Sequence, residues 1–311
     1  MADIPRMTEE QMDQFPWGGF PVYAKEHPEI RPDFSVPALT IVDAFEAELI
    51  EHGRGAVLAR GISGTGKSTI LVPAVERTLI AREYATVPGI KPDFAEELLA
   101  EGRIPDAEKG RVMVLDEFCN GVLEYHTSQP VEETFAEYTR ELVETVGLLK
   151  PAGIICIDAK THDVVRQIMP EKPTVHEATR RALTEAMRVP ISELDIPLEE
   201  ATPSPQAVED LLNALGVDPE ITARFAANAA LRTVELLGHL TSNIGWKRKR
   251  GGSGFTLGNE IVDETRLEPM LRVPANGDKY SSVWYGFKTE EIFIAHALGR
   301  PIPEPKGVNG V

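Results

Sequence analysis

Eight consecutive residues, Gly61-Ile62-Ser63-Gly64-Thr65-Gly66-Lys67-Ser68, carry the most specific chemistry in this chain. They satisfy G-x-x-x-x-G-K-[ST] at every fixed position, and Thr69 follows. Glycines at this spacing let successive backbone N–H groups turn inward around phosphate oxygens. A helix opening at the end of the turn adds the positive end of its dipole. The Lys67 ammonium is then placed to reach β- and γ-phosphates, and the Ser68 hydroxyl to ligate Mg²⁺. Residues 61–69 read as a nucleotide cradle.

The second element is Val112-Met113-Val114-Leu115-Asp116-Glu117, four apolar residues ending in two acids. A parallel strand ends at the ligand edge of its sheet, so the acids arrive beside the phosphate turn. Asp116 can hold the hydration shell of Mg²⁺, and Glu117 can take a proton from the attacking water. Phosphorylating a small molecule needs no such neighbouring base. The pair therefore favours hydrolysis.

These residues need a scaffold, and the apolar pattern supplies one. A helix is expected from Val36 or Pro37 to His52, and a buried strand over Ala56 to Ala59. A helix follows from Ser68 to Ile80, a short strand over Tyr84 to Val87, and a helix over Asp93 to Glu101. Val112 to Leu115 reads as a second apolar strand, Val131 to Leu149 as a long amphipathic helix, and Gly153 to Ile157 as a third strand. Helices are also expected over Asp163 to Met169 and His176 to Met187. Strands apolar on both faces, alternating with helices, indicate an α/β fold whose parallel sheet is covered by helices on both faces.

The turn plus an Asp-Glu pair on a neighbouring apolar strand resembles the additional-strand P-loop ATPases, the class that holds the AAA+ and FtsK/HerA families. The stretch Val114-Leu115-Asp116-Glu117-Phe118, a long helix, then Pro151-Ala152-Gly153-Ile154-Ile155-Cys156-Ile157-Asp158-Ala159-Lys160-Thr161 is similar to the FtsK/HerA pattern. There a polar sensor of the γ-phosphate follows the strand, which puts Thr161 in that role. The 49 residues from Lys67 to Asp116 are short for FtsK and natural for AAA+. The resemblance implies ATP and Mg²⁺ as ligands, hydrolysis, and a homo-oligomeric ring in which an arginine touches a phosphate. Arg232 resembles a sensor arginine on a helical lid, and Arg180 and Arg181 follow the third strand where a finger can arise. All three are equally readable as surface arginines on amphipathic helices.

Outside the core, Trp246-Lys247-Arg248-Lys249-Arg250 is the one dense basic run, set on Gly251-Gly252-Ser253-Gly254. Four cations beside an aromatic suit a phosphate backbone or an exposed base. They equally suit open solvent or an acidic neighbouring subunit. The formal charge of −17 is unevenly spread: residues 1–220 carry −20, and the rest +3. This excludes a protein that coats nucleic acid through its whole surface, and localises any such contact to the C-terminal third. No N-K-x-D segment is present to read guanine.

The 311 residues divide, on this reading, into a Pro- and aromatic-rich strap or arm (1–37), a P-loop core (38–190) and a Pro-punctuated linker (191–206). A mostly helical lid region with the basic loop (207–300) and a tail (301–311) complete the chain. Two cysteines, Cys119 and Cys156, exclude a disulfide scaffold, and both are expected to be buried. The expected setting is cytoplasmic, with no membrane span and no leader in the first residues. What the ATPase moves is nucleic acid, by translocation or packaging. The alternatives are an AAA+ type protein remodeller or loader, and a slow nucleotide-switched scaffold.

Overall fold

The computed structural model describes residues 30–62, 64–116, 118, 131–160, 173–214, 219–229, 232–234 and 237. The chain enters through α1 (Ser35–His52), which stops at Gly53 in the left-handed region (φ 72°), its N–H returning to the Leu49 carbonyl at 2.9 Å. That is a glycine-terminated helix end. It reverses the chain directly into β1 (Gly55–Ile62). One turn of wide, π-type helix (Lys67–Leu71) then runs without a break into α2 (Val72–Ala81). β2 (Ala85–Pro88), α3 (Pro92–Ala100), β3 (Arg111–Asp116) and α4 (Val131–Leu149) follow. The last elements are β4 (Gly153–Lys160), α5 (Pro173–Met187), β5 (Ser192–Asp195), α6 (Pro205–Ala214) and α7 (Pro219–Ala227).

The five strands form one parallel sheet in the order β2-β3-β4-β1-β5. This is the α/β architecture expected from the apolar runs. β4 lies between β1 and β3. Odd-numbered β1 residues Val57 and Ala59 join Ile155 and Ile157 beneath α1 and α2, with Phe45, Val75 and Leu79. Even-numbered Ala56 and Leu58 join Ile154 and Cys156 beneath α4 and α5, with Leu142, Leu149 and Leu183. Both faces are covered, so Ala56 to Ala59 of β1 and Ile154 to Ile157 of β4 are continuous apolar runs. Cys156 is buried as expected, while Cys119 and the helix expected over Asp163 to Met169 lie outside the described residues.

Two expectations need correction. The helix after the phosphate turn starts one residue early and with π-type winding. The stretch expected as a linker contains β5, which adds a fifth strand beside β1, Val57 to Arg60 facing Ser192 to Asp195. Its residues alternate between half-buried and exposed, with Leu194 and Ile196 packed on the α1/α2 side. An edge strand with Glu193 and Asp195 outward has half the apolar content of a central one. The flanking prolines then dominated the pattern.

Gly55 and Gly153 are paired in register at the start of β1 and β4. A Cβ on Gly153 would lie 2.2 Å from the Gly55 carbonyl oxygen and 2.3 Å from Phe45 Cε2. Neither backbone nor a fully buried ring can yield that distance. Gly153→Ala is expected to cost about 1–3 kcal/mol as an overpacked core change, read as a fall of several degrees in melting temperature. A melting temperature equal to wild type would show that the strands separate freely there.

Candidate functional site

β1 ends at Ile62, and the turn that follows is held by its own side chains. Gly64 (φ 74°) and Gly66 (φ 85°) occupy the left-handed region, which an L side chain rarely adopts. Gly61 is needed for space: a Cβ there would lie 3.1 Å from Lys67 Cδ and 3.3 Å from Ile196 Cβ. The buried Thr65 hydroxyl donates to the Ile62 carbonyl at 2.9 Å. Lys67 Nζ, also buried, donates to the same carbonyl at 2.9 Å. The Ile70 N–H donates to the Gly66 carbonyl at 2.8 Å, and the Thr69 hydroxyl to the same oxygen at 3.4 Å. A loop of this form presents backbone donors and one ammonium toward a common centre, which fits a polyphosphate.

β3 delivers Asp116 to that centre. The Ser68 hydroxyl donates to Asp116 Oδ1 at 3.1 Å, across 48 residues of chain. A hydroxyl and a carboxylate at this separation are hard oxygen donors of the kind Mg²⁺ takes. These two residues would hold the metal, directly or through its water. Desolvation under the loop pushes the Asp116 carboxyl above its ordinary range. The Ser68 hydrogen bond and the Lys67 charge pull it back, and Asp158 pushes it further up.

Asp158 is the residue that reading the sequence undervalued. It is 1% exposed, near the end of β4, and accepts the Ala159 N–H at 2.8 Å. Register explains its influence: Asp116 pairs with Ile157, so Asp158 stands one residue beyond. An acid ending an apolar strand next to a known acidic strand end was the available signal.

The three expected arginines are not gathered with these. Arg180 and Arg181 are exposed on α5, and Arg180 approaches Glu193 of β5 at 3.9 Å. His176 shares that carboxylate at 3.0 Å. Arg232 is 2% exposed and inside the helical region. Its guanidinium donates to the carbonyls of Pro203 (2.9 Å) and Ala226 (2.6 Å) and to the Glu199 carboxylate. The structure thus gives Arg232 a bracing role between α7 and the segment that joins β5 to α6. Ser63, Glu117, Thr161 and Trp246 to Arg250 lie outside the described residues.

No family model matches the chain, and no curated protein matches it. Among solved structures it is similar to domain III of the replication initiation protein DnaA of Thermotoga maritima, at 11% identity and a TM-score of 0.40, over 78% of this chain and 95% of that one. It is also similar to the Aeropyrum pernix ORC1 protein, solved in complex with DNA, at 17% identity and a TM-score of 0.36, over 71% and 62%. A third is the Thermotoga maritima RuvB Holliday junction branch migration motor, at 14% identity and a TM-score of 0.31, over 85% and 80%. The chemistry of the site is read from its own residues.

The raised Asp116 pKa has a sign that can be checked. A carboxyl whose folded pKa lies above its unfolded value stabilises the fold while protonated, and loses that contribution as pH rises through the folded pKa. At neutral pH the ionised group is therefore a cost to the ligand-free protein. Asp116→Asn is expected to raise the ligand-free melting temperature at pH 7 slightly, because solvent screens a carboxylate exposed at the strand end. The gain should shrink toward pH 4, and Mg²⁺-dependent nucleotide binding should be lost. A variant less stable than wild type at pH 7 would overturn the assignment.

Proposed function

We propose that this chain binds ATP with Mg²⁺ and hydrolyses it, as an oligomeric P-loop motor of the additional-strand class. The observation that carries the reading is the Ser68–Asp116 hydrogen bond of 3.1 Å, which joins the two motifs at the mouth of the Lys67 loop. Chance glycine turns do not bring a hydroxyl and a strand-end acid together across the sheet.

The chain's own residues would act as follows. The backbone of 61–69 binds the phosphates, and Lys67 exchanges the Ile62 carbonyl for phosphate oxygens. Ser68 and Asp116 would hold Mg²⁺, which would supply charge neutralisation on the phosphates. Glu117, next after Asp116, takes the proton of the attacking water. Thr161, beyond the end of β4, reads the γ-phosphate. Arg180 or Arg181 is available for a neighbour's nucleotide in a ring, since both lie at the surface of α5. Arg232 serves the same chemistry indirectly, by fixing the helical lid.

The work done is nucleic-acid translocation or packaging, with Trp246 to Arg250 as the contact. Its support is the charge contrast between that run and an otherwise acidic chain. A protein remodeller or loader is the second reading. It is favoured by the short interval between Lys67 and Asp116, and by α6 and α7, which pack on each other beyond β5.

Lys67→Ala should abolish nucleotide binding or turnover, measured by fluorescent-nucleotide titration and phosphate release. Unchanged rates would sink the site. Glu117→Gln should bind ATP normally and turn it over at least tenfold more slowly, the scale of a lost general base.

The contact surface has its own test. With Lys247, Arg248, Lys249 and Arg250 all replaced by Ala, duplex affinity should depend less on salt. The slope of log affinity against log salt should shrink by roughly 3–4 units, with basal ATPase intact. Loss of assembly and ATPase together would instead place the run at a subunit interface.

A further inference from the structure

A cavity of about 350 Å³ is lined in part by Asp116. Its floor is the end of β3 from Met113 to Leu115, and its walls come from α2, α4 and the loop after β2. That loop lies against the floor because Gly89 has no side chain: a Cβ would fall 2.6 Å from Leu115 Cδ2. Thr145 of α4 pins it by donating to the Ile90 carbonyl at 3.2 Å. Phe118 and Tyr138 meet edge to face at 6.1 Å and make one wall aromatic. The cavity is formed by fixed elements.

Its polar groups are unbalanced. Glu141 is answered by Lys91 at 3.5 Å, and Asp116 by Ser68. Glu76, half-buried on α2 and lining the cavity, has no hydrogen bond or ion pair among the described residues. Ser68, Val72 and Glu76 recur every four residues, so one helix face runs from the metal side of the loop into this cavity. Three carboxylates and one ammonium leave the lining net negative, which repels phosphate and attracts a cation.

We propose that this cavity is a binding site for a small amphipathic cation, an aromatic or aliphatic body carrying an amine that pairs with Glu76. The body replaces water against Val72, Leu142 and the Phe118–Tyr138 wall, and aromatic faces favour a cation nearby. The volume holds a ligand of a dozen or more non-hydrogen atoms. Because the floor ends in Asp116, an occupant sits beside the metal-side carboxylate, yet binding itself needs no nucleotide.

A charge series on one skeleton tests this on the full-length protein without nucleotide: tryptamine, 3-ethylindole and indole-3-propionate. Binding is followed by calorimetry and by methyl resonances of Val72, Ile90 and Leu142. Tryptamine should bind in about the millimolar range expected of so small a probe, roughly tenfold tighter than the neutral analogue for a charge-assisted contact, with the carboxylate weakest. Glu76→Gln should level the amine and neutral probes, and Glu76→Lys should reverse the order, with melting temperatures within a few degrees of wild type. Equal affinity across the series in wild type, an unchanged order in both variants, or no shift at the three methyls would overturn the proposal. None of these readouts depends on ATP turnover, so the nucleotide reading stands or falls separately.

Discussion

The position of β1 is the constraint on which everything else in this molecule depends. It is the only described strand flanked on one side by β4 and on the other by β5, and it ends in the phosphate turn. Its residues Ala56 to Ala59 are completely buried, so any displacement must be shared by both faces of the core. Each such aliphatic side chain contributes about 1.5–3 kcal/mol on burial for the larger ones. Close contact of Gly55, Gly153 and Phe45 fixes where the strand starts, and Ile196 against Gly61 fixes where it ends. Lys67 and Ser68 inherit their positions from that strand. Asp116 is tied to the same frame through β4.

The site is built at some cost to the fold that carries it. Asp116 and Asp158 place two acids at neighbouring strand ends; Asp158 pushes the Asp116 pKa up, and the Lys67 charge pulls it down. A structure selected for stability alone would put apolar or neutral groups there. Ionisable groups gathered at strand ends beside a glycine turn mark a candidate functional site.

Legibility followed how strongly each element was determined by local pattern. α4 begins and ends where its apolar periodicity does, and the three central strands announced themselves because both of their faces are covered. β5 did not, since an edge strand presents one apolar face and takes its conformation from β1 rather than from its own residues. The phosphate turn and Asp116 were legible because backbone geometry and metal chemistry restrict which residues can stand there. Arg232 was not. Its partners lie 6 to 33 residues away in the chain, and an isolated arginine on an apolar helix looks the same whether it reaches for a phosphate or for a carbonyl. The Asp158 effect on Asp116 required the strand register, which no spacing in the sequence encodes.

The hydrogen bonds inside the loop bear on how it can work. Thr65 and Lys67 both donate to the Ile62 carbonyl, and Ser68 donates to Asp116. Under the proposed function, binding a nucleotide exchanges hydrogen bonds rather than adding them. Each internal bond given up offsets about 0.5–1.5 kcal/mol of the gain. What is bought is order, because an ammonium already held at the centre of the turn loses little conformational freedom when it moves to a phosphate. Under the proposed function, the loop stays formed through its own hydrogen bonds and yields them to phosphate oxygens, which carry more charge than the Ile62 carbonyl.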